Sequence, residues 1–232
     1  MSIGVLGGPR VAGDRIFFER RQGEQEQPLL LVLTRETGRN ELSERVLIDP
    51  AVLGQRVAID WYYPSPSGRL VAIGLSQNGD ERSVLRIIDV ESRDEPLTSE
   101  RIEHCKWSPV SWLNDESGFY YTRYPREGEP NYSADEPDSY FTRIFFHRLG
   151  DDPAEDQLVY GAEDPEDFPS PSVSDDDRYV VINVSQGFSW SGVGPLISRS
   201  AKSEMPGLWP SIITVSPSAR FRIVIMTSLE AW

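Results

Sequence analysis

A short polar turn followed by an alternating apolar strand recurs along this chain, and that repeat limits the folds open to it. The copies are Gly13-Asp14-Arg15-Ile16-Phe17-Phe18, Ser67-Gly68-Arg69-Leu70-Val71-Ala72-Ile73, Glu116-Ser117-Gly118-Phe119-Tyr120-Tyr121 and Asp176-Asp177-Arg178-Tyr179-Val180-Val181-Ile182. Their spacing, roughly 50–60 residues, is in the range of propeller blades and solenoid units. One such unit cannot bury its own apolar face, so several must stack.

The surrounding segments read as strands. Gln27 to Leu33, Arg45 to Pro50, Leu70 to Leu75, Ser83 to Val90, Gly118 to Tyr124, Tyr140 to Leu149 and Gln157 to Tyr160 are β-rich runs punctuated by Gly, Pro, Asn and Asp. Asn78-Gly79 is the strongest hairpin signal, because both residues tolerate positive φ. Pro125 to Asp138 reads as a polar insertion. The nearest helical candidate, Ala51 to Ile59, is short, β-branched and broken by Gly54, so helix content is expected to be low.

Composition narrows the function. No run of about 18 apolar residues occurs, so no helix is expected to span a bilayer, and the N-terminus lacks a secretory pattern. A net charge of −14 argues against nucleic acid as a partner. The sole cysteine, Cys105, leaves no internal disulfide and fits a reducing, cytoplasmic setting. Charge is uneven along the chain. Residues 1–190 carry 19 basic and 35 acidic side chains, whereas 191–232 carry four and two.

The run Asp60-Trp61-Tyr62-Tyr63-Pro64-Ser65-Pro66-Ser67-Gly68-Arg69-Leu70-Val71-Ala72 resembles the first blades of the prolyl oligopeptidase propeller. The likeness continues in order through Leu85 to Val90, Val110-Ser111-Trp112, Gly118 to Pro125, Phe146 to Gly150, Asp156 to Tyr160 and Pro171 to Val180. It covers about Gly7 to Trp190. The resemblance implies an all-β fold: a partial β-propeller of three to four four-stranded antiparallel blades, from a ring of seven. It implies a serine endopeptidase parent that cuts short peptides after proline or, in relatives, after basic residues. A Ser–Asp–His triad on an α/β-hydrolase domain would do the chemistry, and the propeller would filter substrates by size.

The expected organisation is a partial propeller over 1–190 and a divergent tail over 191–232. In that tail Ser216 to Ile225 partly repeats the unit, while Val193 to Pro210 reads as irregular. A truncated or frame-shifted gene near Trp190 would account for both the fading resemblance and the charge shift.

The nearest nucleophile-elbow patterns, around Ser76 and Ser189, lack the second glycine and precede no helix. Only His104 and His147 could serve as a base; His147 lies in an alternating strand, expected to face solvent or a neighbouring blade. His104 adjoins Cys105, and strand neighbours point to opposite faces. The acidic runs Asp151 to Asp156, Asp164 to Asp167 and Asp175 to Asp177 lack calcium-loop spacing and read as solvated turns. Trp61, Tyr62, Tyr63, Trp107 and Trp112 read as wedges between blades, with a ligand groove as the alternative. No catalytic, cofactor or metal residue is therefore expected here. The expected partners are an α/β-hydrolase domain and short peptides, with no nucleic acid and no membrane. The rival reading is a stand-alone propeller module that binds a protein or peptide.

Overall fold

The computed structural model describes residues 5–21, 23, 25–35, 42–92, 97–186, 213–218 and 221–227. They form four antiparallel sheets and one helical turn, divided between two compact units, residues 1–107 and 108–232. Each unit holds two sheets.

In the first unit, sheet 1 comprises β1 (Val5–Leu6), β2 (Arg10–Ala12), β3 (Arg15–Arg21), β4 (Leu29–Arg35) and β5 (Leu42–Ile48). β1 and β2 both pair with β3 and share its outer edge, so the sheet is four strands wide. Pro9, which has no N–H to give a ladder, lies in the gap between them. One helical turn, α1 (Pro50–Leu53), follows β5; Asp49 caps it by accepting the Ala51 N–H at 2.9 Å. Sheet 2 is a meander of β6 (Val57–Pro64), β7 (Leu70–Gln77), β8 (Val84–Asp89) and β9 (Leu97–Ile102). Phe17, Leu30, Val32 and Leu47 of sheet 1 meet Ile59, Tyr62, Val71, Ile73 and Ile88 of sheet 2 in one core. Burial of a side chain of this size contributes about 1.5–3 kcal/mol.

In the second unit, sheet 3 is a meander of β10 (Val110–Trp112), β11 (Gly118–Arg123), β12 (Arg143–Arg148) and β13 (Gln157–Gly161). Sheet 4 holds β14 (Asp167–Val173), β15 (Tyr179–Gln186), β16 (Ile213–Ser218) and β17 (Phe221–Thr227), in the order β14-β15-β17-β16. It departs from a meander because β15 pairs with β17 rather than β16. Tyr120, Ile144 and Phe146 of sheet 3 pack on Val180, Ile182 and Val184 of sheet 4.

The repeated turn has a packing role that its sequence did not disclose. In the first unit, the turns before β3 and β7 stack backbone to backbone. Gly13 (φ 57°) and Gly68 (φ 73°) hold left-handed conformations, and an added Cβ would sit 2.3 Å from the Ser67 carbonyl oxygen and 2.7 Å from that of Ala12. Arg15, which follows the first turn, donates to the Gly68 carbonyl at 2.8 Å and pairs with Glu91. In the second unit a side chain makes the equivalent link: the Asn114 backbone N–H lies 3.1 Å from each Asp177 carboxylate oxygen, and its amide donates to the Asp175 carbonyl at 2.7 Å.

Asn78 and Gly79 do adopt positive φ (57° and 71°), and the Asp80 N–H closes the turn on the Gln77 carbonyl at 3.1 Å. The turn is not a tight hairpin, however. The β7–β8 ladder ends at Leu75↔Val84, and the Asn78 N–H is drawn to the Arg56 carbonyl at 2.9 Å. The strand expected from Tyr140 begins only at Arg143, where pairing with β11 starts.

Candidate functional site: a basic groove on the second sheet

β6 contains a bulge. Ile59 pairs with Leu75 and Trp61 with Gly74, so Asp60 is the extra residue. The bulge turns its carboxylate toward two buried serines: Ser76 donates at 2.9 Å and Ser83 at 2.6 Å. Desolvation raises the Asp60 pKa, while the hydrogen bonds from Ser83 and Ser76 pull it down. Ser76 thus spends its hydroxyl on a carboxylate rather than presenting it as a nucleophile. Ser189 lies outside the described residues.

Beside this cluster a groove of about 400 Å³ opens at the end of sheet 2 where β7 finishes and β8 begins. Its apolar walls are Leu53, Val57, Leu75 and Val84, and its charged lining is Arg82, Arg86, Arg101 and Asp80. Arg86 and Arg101 are direct cross-strand partners in the β8–β9 ladder. The Arg86 guanidinium donates to the carbonyls of Glu100 and Thr98, each at 2.8 Å, which fixes its plane. Burial and then the neighbouring Arg101 charge lower its pKa.

Of the two surroundings expected for His147, solvent or a neighbouring blade, solvent is excluded. Its side chain is fully buried within sheet 3, and Nδ1 lies 2.7 Å from Asp156 Oδ1. The Tyr121 hydroxyl donates to the other oxygen of Asp156 at 2.7 Å. The His147 ring also packs on Phe119, its cross-strand partner, with centroids 5.3 Å apart. Nε2, the atom that would accept a serine proton, is buried and has no hydrogen-bond partner among the described residues. Among the described residues, no nucleophile lies at the end of this Tyr–Asp–His chain.

His104 and Cys105 do not occupy a strand, because β9 ends at Ile102. His104 has φ 63°, and the buried Cys105 thiol donates to the Glu103 carbonyl at 3.5 Å. The argument from alternating strand faces therefore does not apply to this pair.

Each acidic run contains at least one residue whose carboxylate is held by another side chain. Asp156 serves Tyr121 and His147, and Asp177 serves Asn114. The buried Asp167 accepts from Gln186 at 3.0 Å. Among the described residues, no group of three His, Cys, Asp or Glu is placed to hold a metal ion.

The aromatics divide. Tyr62 lies in the core between sheets 1 and 2 and donates to the Gly8 carbonyl at 3.1 Å. Arg10 lies over the Tyr63 ring at 4.4 Å. Trp61 lies across Gly74 and donates to the Cys105 carbonyl at 3.1 Å. Trp112 is buried against Phe119, whereas Trp107 is 51% exposed.

Residues 6–205 match the family model described as prolyl oligopeptidase, N-terminal beta-propeller domain. The chain is 27% identical over 183 residues to a prolyl endopeptidase of Elizabethkingia meningoseptica, a match covering 78% of this chain and 24% of the relative. It is 25% identical over 199 residues to the prolyl oligopeptidase ophP of Omphalotus olearius, covering 77% and 26%. A solved structure from a study of two prolyl endopeptidases and their inter-domain dynamics aligns with TM-score 0.63 at 28% identity, over 80% of this chain and 25% of that one. Oligopeptidase B from Leishmania major shares the fold, with TM-score 0.59 at 15% identity over 78% of this chain and 24% of that one. The chain spans about a quarter of the length of the relatives it matches. Among the described residues no helix is long and apolar enough to cross a membrane. The ordered family motifs, the four antiparallel sheets and the match over residues 6–205 agree: the chain belongs to the prolyl oligopeptidase N-terminal β-propeller family.

Proposed function

We propose that this chain is the substrate-gating propeller portion of a prolyl oligopeptidase-like serine endopeptidase that hydrolyses short peptides. The chemistry belongs to an α/β-hydrolase partner domain. The family match over residues 6–205 carries this reading. It is supported by Ser76 being tied to Asp60 and by His147 Nε2 having no hydrogen-bond partner among the described residues. A reducing, cytoplasmic setting belongs to the same proposal, since the sole cysteine is a buried thiol.

The test has two arms. The purified 232-residue chain is incubated with a prolyl chromogenic peptide, where no turnover above buffer is expected. It is then mixed with the separately expressed hydrolase domain of the Elizabethkingia relative, where co-elution on size exclusion is expected. Turnover by the chain alone, or failure to associate, overturns the proposal. The groove on sheet 2 favours a second reading, a stand-alone peptide-binding module, for which a clean monomer indifferent to the hydrolase domain would be the result.

A further inference from the structure

The groove on sheet 2 combines features that belong to a binding site rather than to a solvated face. Three arginines and one aspartate line it, in a chain whose net charge is −14. Arg86 and Arg101 face each other directly across two strands, an arrangement of like charges that costs stability unless an anion lies between them. Asp80, Glu81 and Asp60 each have another partner. Asp80 accepts the Arg82 backbone N–H at 3.0 Å, and Glu81 pairs with Lys106 at 3.4 Å. Asp60 holds Ser76 and Ser83. Glu103 lies 3.2 Å from Arg101, but both side chains are more than half exposed, so that pair exchanges readily with an incoming carboxylate.

We propose that this groove binds the free C-terminal carboxylate of a short peptide ending in an apolar residue, with Arg86 and Arg101 as the carboxylate clamp. Guanidinium forks match a carboxylate in two-point geometry, and Arg86 is already fixed by its bonds to β9. The apolar walls Leu53, Val57, Leu75 and Val84 adjoin the basic end. A C-terminal residue suits that juxtaposition, because its carboxylate and its side chain leave the same Cα in different directions. An Asp or Glu side chain would send the charge and the side chain the same way, leaving the apolar wall unfilled. The volume, about 400 Å³, suits a ligand of two or three residues and is too small for a folded domain. The inference does not depend on the peptidase reading.

The test is calorimetric titration of the 232-residue chain, at low ionic strength, with N-acetyl-Ala-Phe and with its C-terminal amide. The acid is expected to bind and the amide to bind at least about tenfold more weakly, the loss that goes with a charge-assisted hydrogen-bond pair. Arg101→Gln is expected to remove most of that discrimination. Arg86→Gln should do the same but also loses its bonds to β9, so Arg101→Gln, at a 56% exposed side chain, is the deciding variant. Circular dichroism confirms that each variant is folded. Equal binding of acid and amide, no binding of the acid at millimolar concentration, or an unchanged Arg101→Gln would overturn the proposal. So would inorganic phosphate binding more tightly than the acid, which would mark a general anion site.

Discussion

Glu129 pins the polar insertion between β11 and β12 through several donors at once. Its carboxylate accepts from Arg123 at 2.7 and 2.8 Å and from the Arg126 backbone N–H at 2.9 Å, and Arg143 lies 3.5 Å away. Arg123 is buried, 3% exposed, with its guanidinium 3.8 Å from the Phe145 ring centroid. The Arg123 hydrogen bond, more than any other influence, lowers the Glu129 carboxyl from its ordinary 4.5 to about 2. A carboxylate whose folded pKa is depressed lends stability that is complete above the unfolded value and fades as pH falls through the folded one. Glu129→Gln should therefore cost about 2–3 kcal/mol at pH 7, most of it from leaving the buried Arg123 charge without its partner. The gap between wild type and variant in urea unfolding should narrow steadily from about pH 4.5 downward, as linkage requires. A gap that stays constant to pH 3 would show that the ion pair contributes nothing.

Strands were legible in the sequence in two ways: β15 alternates buried with partly buried residues, as burial of one face requires, whereas β7 and β11 are buried on both faces and read as near-continuous apolar runs. What joins and distorts them was not. Asp60 looks like any strand residue until the ladder skips it, and the Asn78-Gly79 pair identifies the turn but not the Leu75↔Val84 end of the ladder. Close packing between neighbouring strands was equally hidden. A Cβ on Gly74 would fall 2.2 Å from the Trp61 ring, although the Gly74 backbone is not in the left-handed region. The demand on Gly74 is therefore one of space. Gly74→Ala should cost about 2–3 kcal/mol through overpacking. Trp61→Leu should cost stability too, but the double variant should lose at least about 0.5 kcal/mol less than the sum, since the smaller side chain makes room. Additive effects in urea unfolding would mean that the ring and the new methyl never meet.

At the level of the whole molecule, the ordered run of motifs revealed the family, because each motif restates the same turn-and-strand unit at a blade-like interval. The groove and the buried network were beyond reach for a different reason. Nothing local separates Asp156 from Asp151 or Asp152, since the partners that bury it are Tyr121, 35 residues away, and His147, nine away. Arg86 and Arg101 likewise become a pair only through the β8–β9 register. Charge, by contrast, is visible from composition and acts on the molecule as a whole. With 37 acidic against 23 basic side chains, the compact state carries a net −14 and repels itself. Salt screens that repulsion over distances of about 10 Å at 0.1 M, but weakens a contact such as Arg123–Glu129 far less, because Arg123 is nearly removed from solvent. Raising sodium chloride from about 20 to 200 mM should therefore stabilise the protein by roughly 1 kcal/mol, raising Tm by about 2–4 °C for a chain of this size. Differential scanning calorimetry at the two concentrations checks this. A fall in Tm would mean that exposed pairs such as Arg20–Glu44 and Arg178–Asp176 outweigh the collective repulsion.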